Sequence, residues 1–336
     1  MVTLRKHNLL TIRQKTLVFK LTANALLILF LLASCNDEYG HPFPVDSVFH
    51  RRDSITQAVT GKLRPDSLNS IVKWLQDMGT RFALADNHRA VAQKIRDRFK
   101  RIGYNSAHLD SFQLSLNWND QPYTTWQYNV IAELAGSVYP DSLVIIGAHY
   151  DDILSSDDPF LNAPGANDNA SGTAALIEIA RAIKMAHYTP SVSIQFVTFS
   201  AEELGLSGSS DFAMKLSMSG RPVRFMINHD MIAYEPAPGL LNWQVNILNY
   251  DNSADLLTKA KDLSAKYTLL IPINDNVNNR KSDSYSFYQR GFKAMYLASR
   301  RTDPFYHTLQ DLASHCNFLY CTEVTRITCA MIIHSD

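Results

Sequence analysis

Apolar positions along this chain keep two rhythms that take turns. Leu68, Ile71, Val72 and Leu75 recur at the spacing of one helix face, and Ala92, Ile95 and Phe99 repeat it before Gly103. Asn129 to Leu134 then alternates as a half-buried strand does, whereas Leu143-Val144-Ile145-Ile146-Gly147-Ala148 is apolar throughout, as expected of a central strand covered on both faces. Further strand-like runs occupy Val192 to Phe199, Val223 to Ile227 and Phe292 to Ala298. A helical stripe with Leu176, Ile179 and Ile183 spans about Ser171 to His187. From Pro65 onward this alternation predicts an α/β fold, a mixed and mostly parallel central sheet flanked by helices. No internal repeat or low-complexity tract interrupts it.

The first 34 residues follow neither rhythm. Arg5, Lys6, Arg13, Lys15 and Lys20 precede an uncharged run from Leu21 through Leu32, and no acidic residue occurs before Asp37. This is the make-up of an export signal, and the run is short for a membrane span. Leu32-Ala33-Ser34-Cys35 resembles a bacterial lipobox, in which Cys35 takes the lipid and becomes the mature N-terminus. The plainer alternative is an ordinary signal peptide with a chance cysteine. The expected organisation is a lipoprotein signal peptide over 1–34, a tether and N-terminal arm over 35–64, and a catalytic domain over 65–336. An exported protein lipid-anchored to the cell envelope follows.

Processing at that point changes the charge. The segment holds five of the 32 basic and none of the 32 acidic residues, leaving 27 − 32 = −5. A net-acidic chain is a poor partner for nucleic acid, and none is expected. Cys316, Cys321 and Cys329 remain besides Cys35. Cys321 and Cys329, eight residues apart on one predicted helix, would sit roughly 12 Å apart along its axis, too far for a disulfide. Cys316 could meet Cys321 only from off that helix. No Cys-x-x-Cys spacing suggests a thiolate zinc site.

The candidate chemistry sits where strands stop. His149 ends the apolar run, Glu202 and Glu203 follow Phe199, Asp230 follows the Val223 strand, and His307 lies beyond the Phe292 run. Asp168 precedes a helix N-terminus, where a carboxylate is favoured. In open α/β sheets ligands gather beyond the carboxyl ends of strands, so topology by itself draws these segments together. Carboxylates and imidazoles in this number suit a paired-metal hydrolytic centre: one carboxylate shared, a carboxylate and an imidazole for each ion, and a separate carboxylate for proton transfer. Singly, each residue has a plainer explanation. A lone histidine at a strand end is commonly a hydrogen-bonded structural residue, and adjacent glutamates at a helix start commonly complement its dipole.

The wording of five segments carries a resemblance: Ala148-His149-Tyr150-Asp151; Asp168-Asn169-Ala170-Ser171-Gly172; Ser200-Ala201-Glu202-Glu203-Leu204-Gly205-Leu206-Ser207-Gly208-Ser209; Asn228-His229-Asp230-Met231-Ile232; and Tyr306-His307-Thr308 with Asp311. In this order, from about Leu68 to the C-terminus, the chain resembles the co-catalytic dizinc aminopeptidases of clan MH, the bacterial leucyl-aminopeptidase type. The resemblance implies the three-layer zinc-exopeptidase sandwich and two zinc ions. His149 and Asp230 would bind one ion, Glu203 and His307 the other, with Asp168 bridging and followed by a cis peptide bond, and Glu202 acting as the base. Asp151 would accept from the His149 imidazole and fix its tautomer. His229, where the family often has leucine, would not ligate.

Other features admit two readings. Asp152, Asp157 and Asp158 would either attract a substrate's amino group or form a solvated acidic loop. Ser282-Asp283-Ser284-Tyr285-Ser286-Phe287 and Gly291-Phe292-Lys293-Ala294 resemble family segments, with Ser284 in place of a histidine and Lys293 in place of a proline. Those departures bear on pocket shape, and Tyr285 or Tyr288 would either approach the oxyanion or pack in the core. The expected activity is aminopeptidase hydrolysis of peptide substrates by a monomer, held to the membrane by its N-terminal lipid. The alternatives are a glutaminyl cyclase-like enzyme with one zinc and, from another class, a surface binding protein on an inactive peptidase scaffold.

Overall fold

The computed structural model describes residues 45–335. The export segment and Cys35 lie outside the described residues. A compact unit begins at His50 and runs to the C-terminus. Helix α1 (Val45–Thr60) leads into α2 (Pro65–Gln76), which starts on a proline, where the missing amide proton costs nothing. Helix α3 (His88–Ile102) stops at Gly103, whose φ of 101° supplies the left-handed C-terminal turn.

Eight strands form one sheet in the order β1-β2-β4-β3-β5-β8-β6-β7. Strands β3 (Tyr139–His149), β4 (Val192–Phe199), β5 (Val223–His229) and β8 (Ala294–Ser299) form its parallel centre. The antiparallel hairpin β1 (His108–Trp118) and β2 (Gln121–Leu134) extends one side. It turns at Asn119 and Asp120, whose φ values of 51° and 61° are those a tight hairpin asks of its two central residues. Strand β6 (Gln244–Asn249) pairs antiparallel with β8 and parallel with β7 (Ile271–Ile273). The expected mostly parallel α/β sheet is thus present. The sequence pattern does not mark β1 and β6, which are rich in polar residues, or β7, which is only three residues long; all three lie in the outer parts of the sheet.

The apolar run of β3 is explained by burial on both sides. Val144, Ile146 and Ala148 belong to the large core that takes in α2, α3, α4 (Gly172–Met185) and α8 (Phe318–Ile333), while Leu143 and Ile145 face a second core with Phe212 of α5 (Ser207–Ser219) and Phe287 of α7 (Ser284–Gln289). Helix α6 (Ala254–Tyr267) packs on the first of these through Leu256, Ala260 and Leu263. Val59 and Leu63 join the same core, and Arg326 donates to the Thr60 carbonyl, so the end of the N-terminal arm is packed against the domain. Cys321 and Cys329 lie on α8 and Cys316 off it, and all three are free thiols. Among the described residues, no helix is long and apolar enough to cross a membrane.

Candidate metal centre

His149 is the last residue of β3 and is almost wholly buried. Its Nδ1 lies 3.2 Å from the Asp151 carbonyl and 3.7 Å from the Asp151 carboxylate, so the other ring nitrogen faces the site. The Asp151 carboxylate also accepts from the backbone amides of Glu202 and Glu203, at 3.1 and 3.3 Å. It therefore ties the exit of β3 to the exit of β4.

Asp168 enters from the segment before α4, and the Asp168–Asn169 peptide is cis. Asp311 accepts from the amides of Asn167 and Asp168 at 2.7 and 2.9 Å. The Asn169 side chain braces the other flank: its Oδ1 accepts from Gly172 and Met231 amides, and its Nδ2 donates to the His229 carbonyl. Gly172 must be glycine for this approach, because a Cβ there would stand 2.5 Å from both Asn169 Oδ1 and the His229 carbonyl oxygen. Asp230, one residue past β5, accepts from Ser282 Oγ at 2.5 Å, and that hydroxyl accepts in turn from Asn228 at 2.7 Å.

All six sequence-predicted residues meet. Asp168 Oδ1 is 3.3 Å from His149 Nε2, and its Oδ2 is 3.1 Å from His307 Nε2. His149 Nε2 is also 3.6 Å from Asp230 and 3.9 Å from Glu202, while His307 Nε2 is 3.1 Å from Glu203. Donor atoms of His149, Asp168 and Glu203, and separately of His149, Glu202 and Asp230, lie within 4.8 Å of one another. Those two groups share His149, whereas the ring-nitrogen distances divide the set into a His149 side and a His307 side joined by Asp168. The second division accounts for every donor, including His307.

Electrostatics show what this cluster can hold. Burial, then the neighbouring Asp168 carboxylate, pushes Glu203 up to about 8. Glu202 is raised by burial and by Glu203, Asp283 and Asp230, against the pull of His149. Burial opposes charge on His307, yet Asp168 and Glu203 lift it to about 10. On His149, too, the carboxylates of Glu202, Asp151, Asp168 and Asp230 outweigh burial and raise it. Buried carboxylates crowded around two imidazoles have the donor chemistry that a divalent cation neutralises.

Several residues sit otherwise than the sequence suggested. Asp152 is fully buried, accepting from the Arg81 amide at 2.9 Å and pairing with its guanidinium at 3.0 Å, so it belongs neither to a solvated loop nor to a substrate-facing one. Asp157 and Asp158 are exposed. Ser284 hydrogen-bonds Tyr250, and Lys293 pairs with Asp255 on the surface; neither lines the cavity over the site. Tyr285 and Tyr288 pack with Tyr250, and the tyrosines that do line the cavity are Tyr296 and Tyr306, the latter stacked on His307 at 3.7 Å. His229 turns away to Thr328 Oγ1 at 2.8 Å.

Sequence reasoning missed Arg81. Its buried guanidinium donates to the carbonyls of Tyr150, Pro164 and Gly165 at 2.8, 3.0 and 2.8 Å, clamping the loop between His149 and Asp168 from below. Nothing around Arg81 in sequence signals this, since its partners come from distant segments. The cavity above the donors has a volume of about 640 Å³.

Residues 129–332 match the sequence profile of peptidase family M28. The chain belongs to that family. Over 210 residues it is 31% identical to a probable leucine aminopeptidase of Trichophyton verrucosum, a match covering 60% of this chain and 54% of that relative, so it spans about half of the relative's length. Among solved structures it resembles LapB from Legionella pneumophila, with a TM-score of 0.70 and 20% identity over 88% of this chain and 82% of that one. A glutaminyl cyclase from Bacteroides thetaiotaomicron aligns with a TM-score of 0.67 and 21% identity, over 81% and 98%. At these identities the structural likeness is one of fold. In this M28 peptidase the matched region contains all six donors together with Asp151, Asn169 and Asp311, while Arg81 lies ahead of it.

Proposed function

We propose that this M28 peptidase is a zinc-dependent aminopeptidase that removes N-terminal residues from peptides. The observation that carries the reading is the Asp168 carboxylate, which turns one oxygen to each imidazole. His149 and Asp230 would hold one zinc ion, Glu203 and His307 a second, and Asp168 both. Bound there, the ions supply Lewis acidity to polarise a carbonyl and acidify water. The protein's own groups do the remainder. Glu202, buried and with its carboxyl raised, accepts a proton from the attacking water at its side-chain oxygen and delivers it to the departing amine. Asp151 orients His149 and the Glu202-Glu203 backbone together. Asp311 and Asn169 fix Asp168.

Glu202→Gln preserves shape and removes the base. Zinc content should stay near two per chain, while kcat falls by about 10³-fold or more. Retained turnover in this variant would overturn the assignment.

A second reading is favoured by the likeness in fold to the glutaminyl cyclase: one zinc ion and cyclisation of N-terminal glutamine. Leucyl and glutaminyl peptides assayed side by side, with zinc counted per chain, separate the two. We place the enzyme as a monomer outside the cytoplasmic membrane, anchored through lipid on Cys35. The charged start and the Leu21 to Leu32 run support the export, and Leu32-Ala33-Ser34-Cys35 the lipid anchor. Loss of lipid labelling and of membrane association in Cys35→Ala tests it.

A further inference from the structure

The wall of the cavity on the side of Asp230 differs in charge from its floor. The floor is His149 with the carboxylates described above. The wall carries Lys281, Arg300 and Arg301, against Asp275. The remaining carboxylate there, Asp303, is buried and turned inward, accepting from Asn167 Nδ2 at 2.7 Å and from the Phe305 amide at 2.8 Å.

Both cationic segments are tied to the residues around Asp230. Lys281 immediately precedes Ser282, whose hydroxyl donates to Asp230, and Ser299, just before Arg300, donates its amide to the Met231 carbonyl at 2.9 Å. Arg300 is aimed by Asp275, 3.5 Å away. Asp275 is in turn held by the Asn246 side chain, which accepts from its amide at 2.9 Å and donates to its carbonyl at 3.0 Å. A half-exposed pair of that length leaves the guanidinium free to bind an anion as well. Among the described residues no ion-pair partner is recorded for the side chains of Lys281 and Arg301. Three cations against one outward-facing carboxylate leave this wall with an excess of 3 − 1 = 2 positive charges.

We propose that this wall selects zwitterionic short peptides, receiving a substrate carboxylate within one or two residues of the scissile bond. The proposal rests on the peptidase reading. A basic wall facing a metal-holding floor across one cavity of about 640 Å³ matches a molecule that is cut at the floor and carries a negative charge a short way beyond, on the scale of a di- or tripeptide. The free amino group faces the floor and the carboxylate faces Arg300, Arg301 and Lys281. An acidic side chain offers the same chemistry as a free C-terminus, so the substrates must tell them apart.

The zinc-loaded full chain is assayed with Leu-Gly against Leu-Gly-amide, and with Glu-Gly-amide against Gln-Gly-amide, at low salt and again near about 0.5 M salt. The free carboxylate of Leu-Gly should raise kcat/KM by about tenfold over the amide at low salt, and high salt should shrink that ratio. In the exposed double variant Lys281→Gln/Arg301→Gln the ratio should fall toward one. A preference confined to the glutamyl pair assigns the carboxylate to a side chain and keeps the proposal's charge chemistry. Ratios of one in both pairs, or ratios that neither salt nor the double variant changes, overturn it. Absence of turnover with every peptide defeats the peptidase reading itself and this proposal with it, whereas turnover without preference defeats this proposal alone.

Discussion

Two buried charged clusters lie on either side of the same loop, and they are built on opposite principles. Around Arg81 each guanidinium nitrogen has an acceptor: the carbonyls of Leu75, Tyr150, Pro164 and Gly165, and the carboxylate of Asp152. Around Asp168 the carboxylates outnumber the imidazoles, and burial, then the Asp168 carboxylate, pushes Glu203 up to about 8. A closed set of partners marks a brace, and an open set of donors marks a cation site. Burial alone does not distinguish them, because both clusters are removed from solvent.

The comparison is sharpened most by removing one carboxylate from the open set. Glu203→Gln should cost about 10³-fold or more in kcat/KM through lost zinc, while the stability of the metal-free protein shifts by less than about 1 kcal/mol, since burial and Asp168 already disfavour a charge at that position. Zinc analysis with chemical denaturation checks both halves, and a large stability loss without zinc loss would invert the distinction. Arg81→Met is the counterpart in the closed set. It strands Asp152 and several carbonyls, so unfolding should become easier by about 3–5 kcal/mol, read from the denaturation midpoint. A loss under about 1 kcal/mol would show that the brace is not one.

A smaller effect belongs to His229, buried against Thr328 beside the site, where burial pushes its imidazole down to about 3. The unfolded chain takes up that proton near pH 6.5 and the folded chain only near 3. Stability should therefore decline as pH falls from about 6.5, by at most about 1.4 kcal/mol per pH unit from this residue. His229→Gln should flatten that part of the stability profile between about pH 6.5 and 4. An unchanged slope would place the acid sensitivity elsewhere.

The sequence was most legible where backbone periodicity and chemistry coincide. The Leu143 to Ala148 run announces a strand buried on both faces, and the next residue is His149. Phe199 and the Val223 strand end just ahead of Glu202-Glu203 and Asp230 in the same way. Legibility fell wherever a side chain's role depends on what arrives from far along the chain. Asp152 and Asp157 look alike in sequence, yet one is sealed under Arg81 and the other is in water. Ser284 and Lys293 depart from the family's wording but stand away from the cavity, while Asp275, Arg300 and Arg301, part of no recognised segment, line it. The β1 and β2 hairpin extends the sheet on its outer side with one face largely exposed, so its period was too polar to mark both strands.

By itself, then, the sequence determined the α/β class, the order of the central strands' ends and the identity of the donors that follow them, because these are set by local period and by residues a few positions away. Tertiary structure alone decided which charges are neutralised and which are left open. Charge interactions act through space between segments from about twenty to well over a hundred residues apart: Arg81 finds Asp152 and three loop carbonyls, Asp168 finds both imidazoles, and Lys281 meets Arg300 and Arg301 along one wall. Chain order encodes none of those separations.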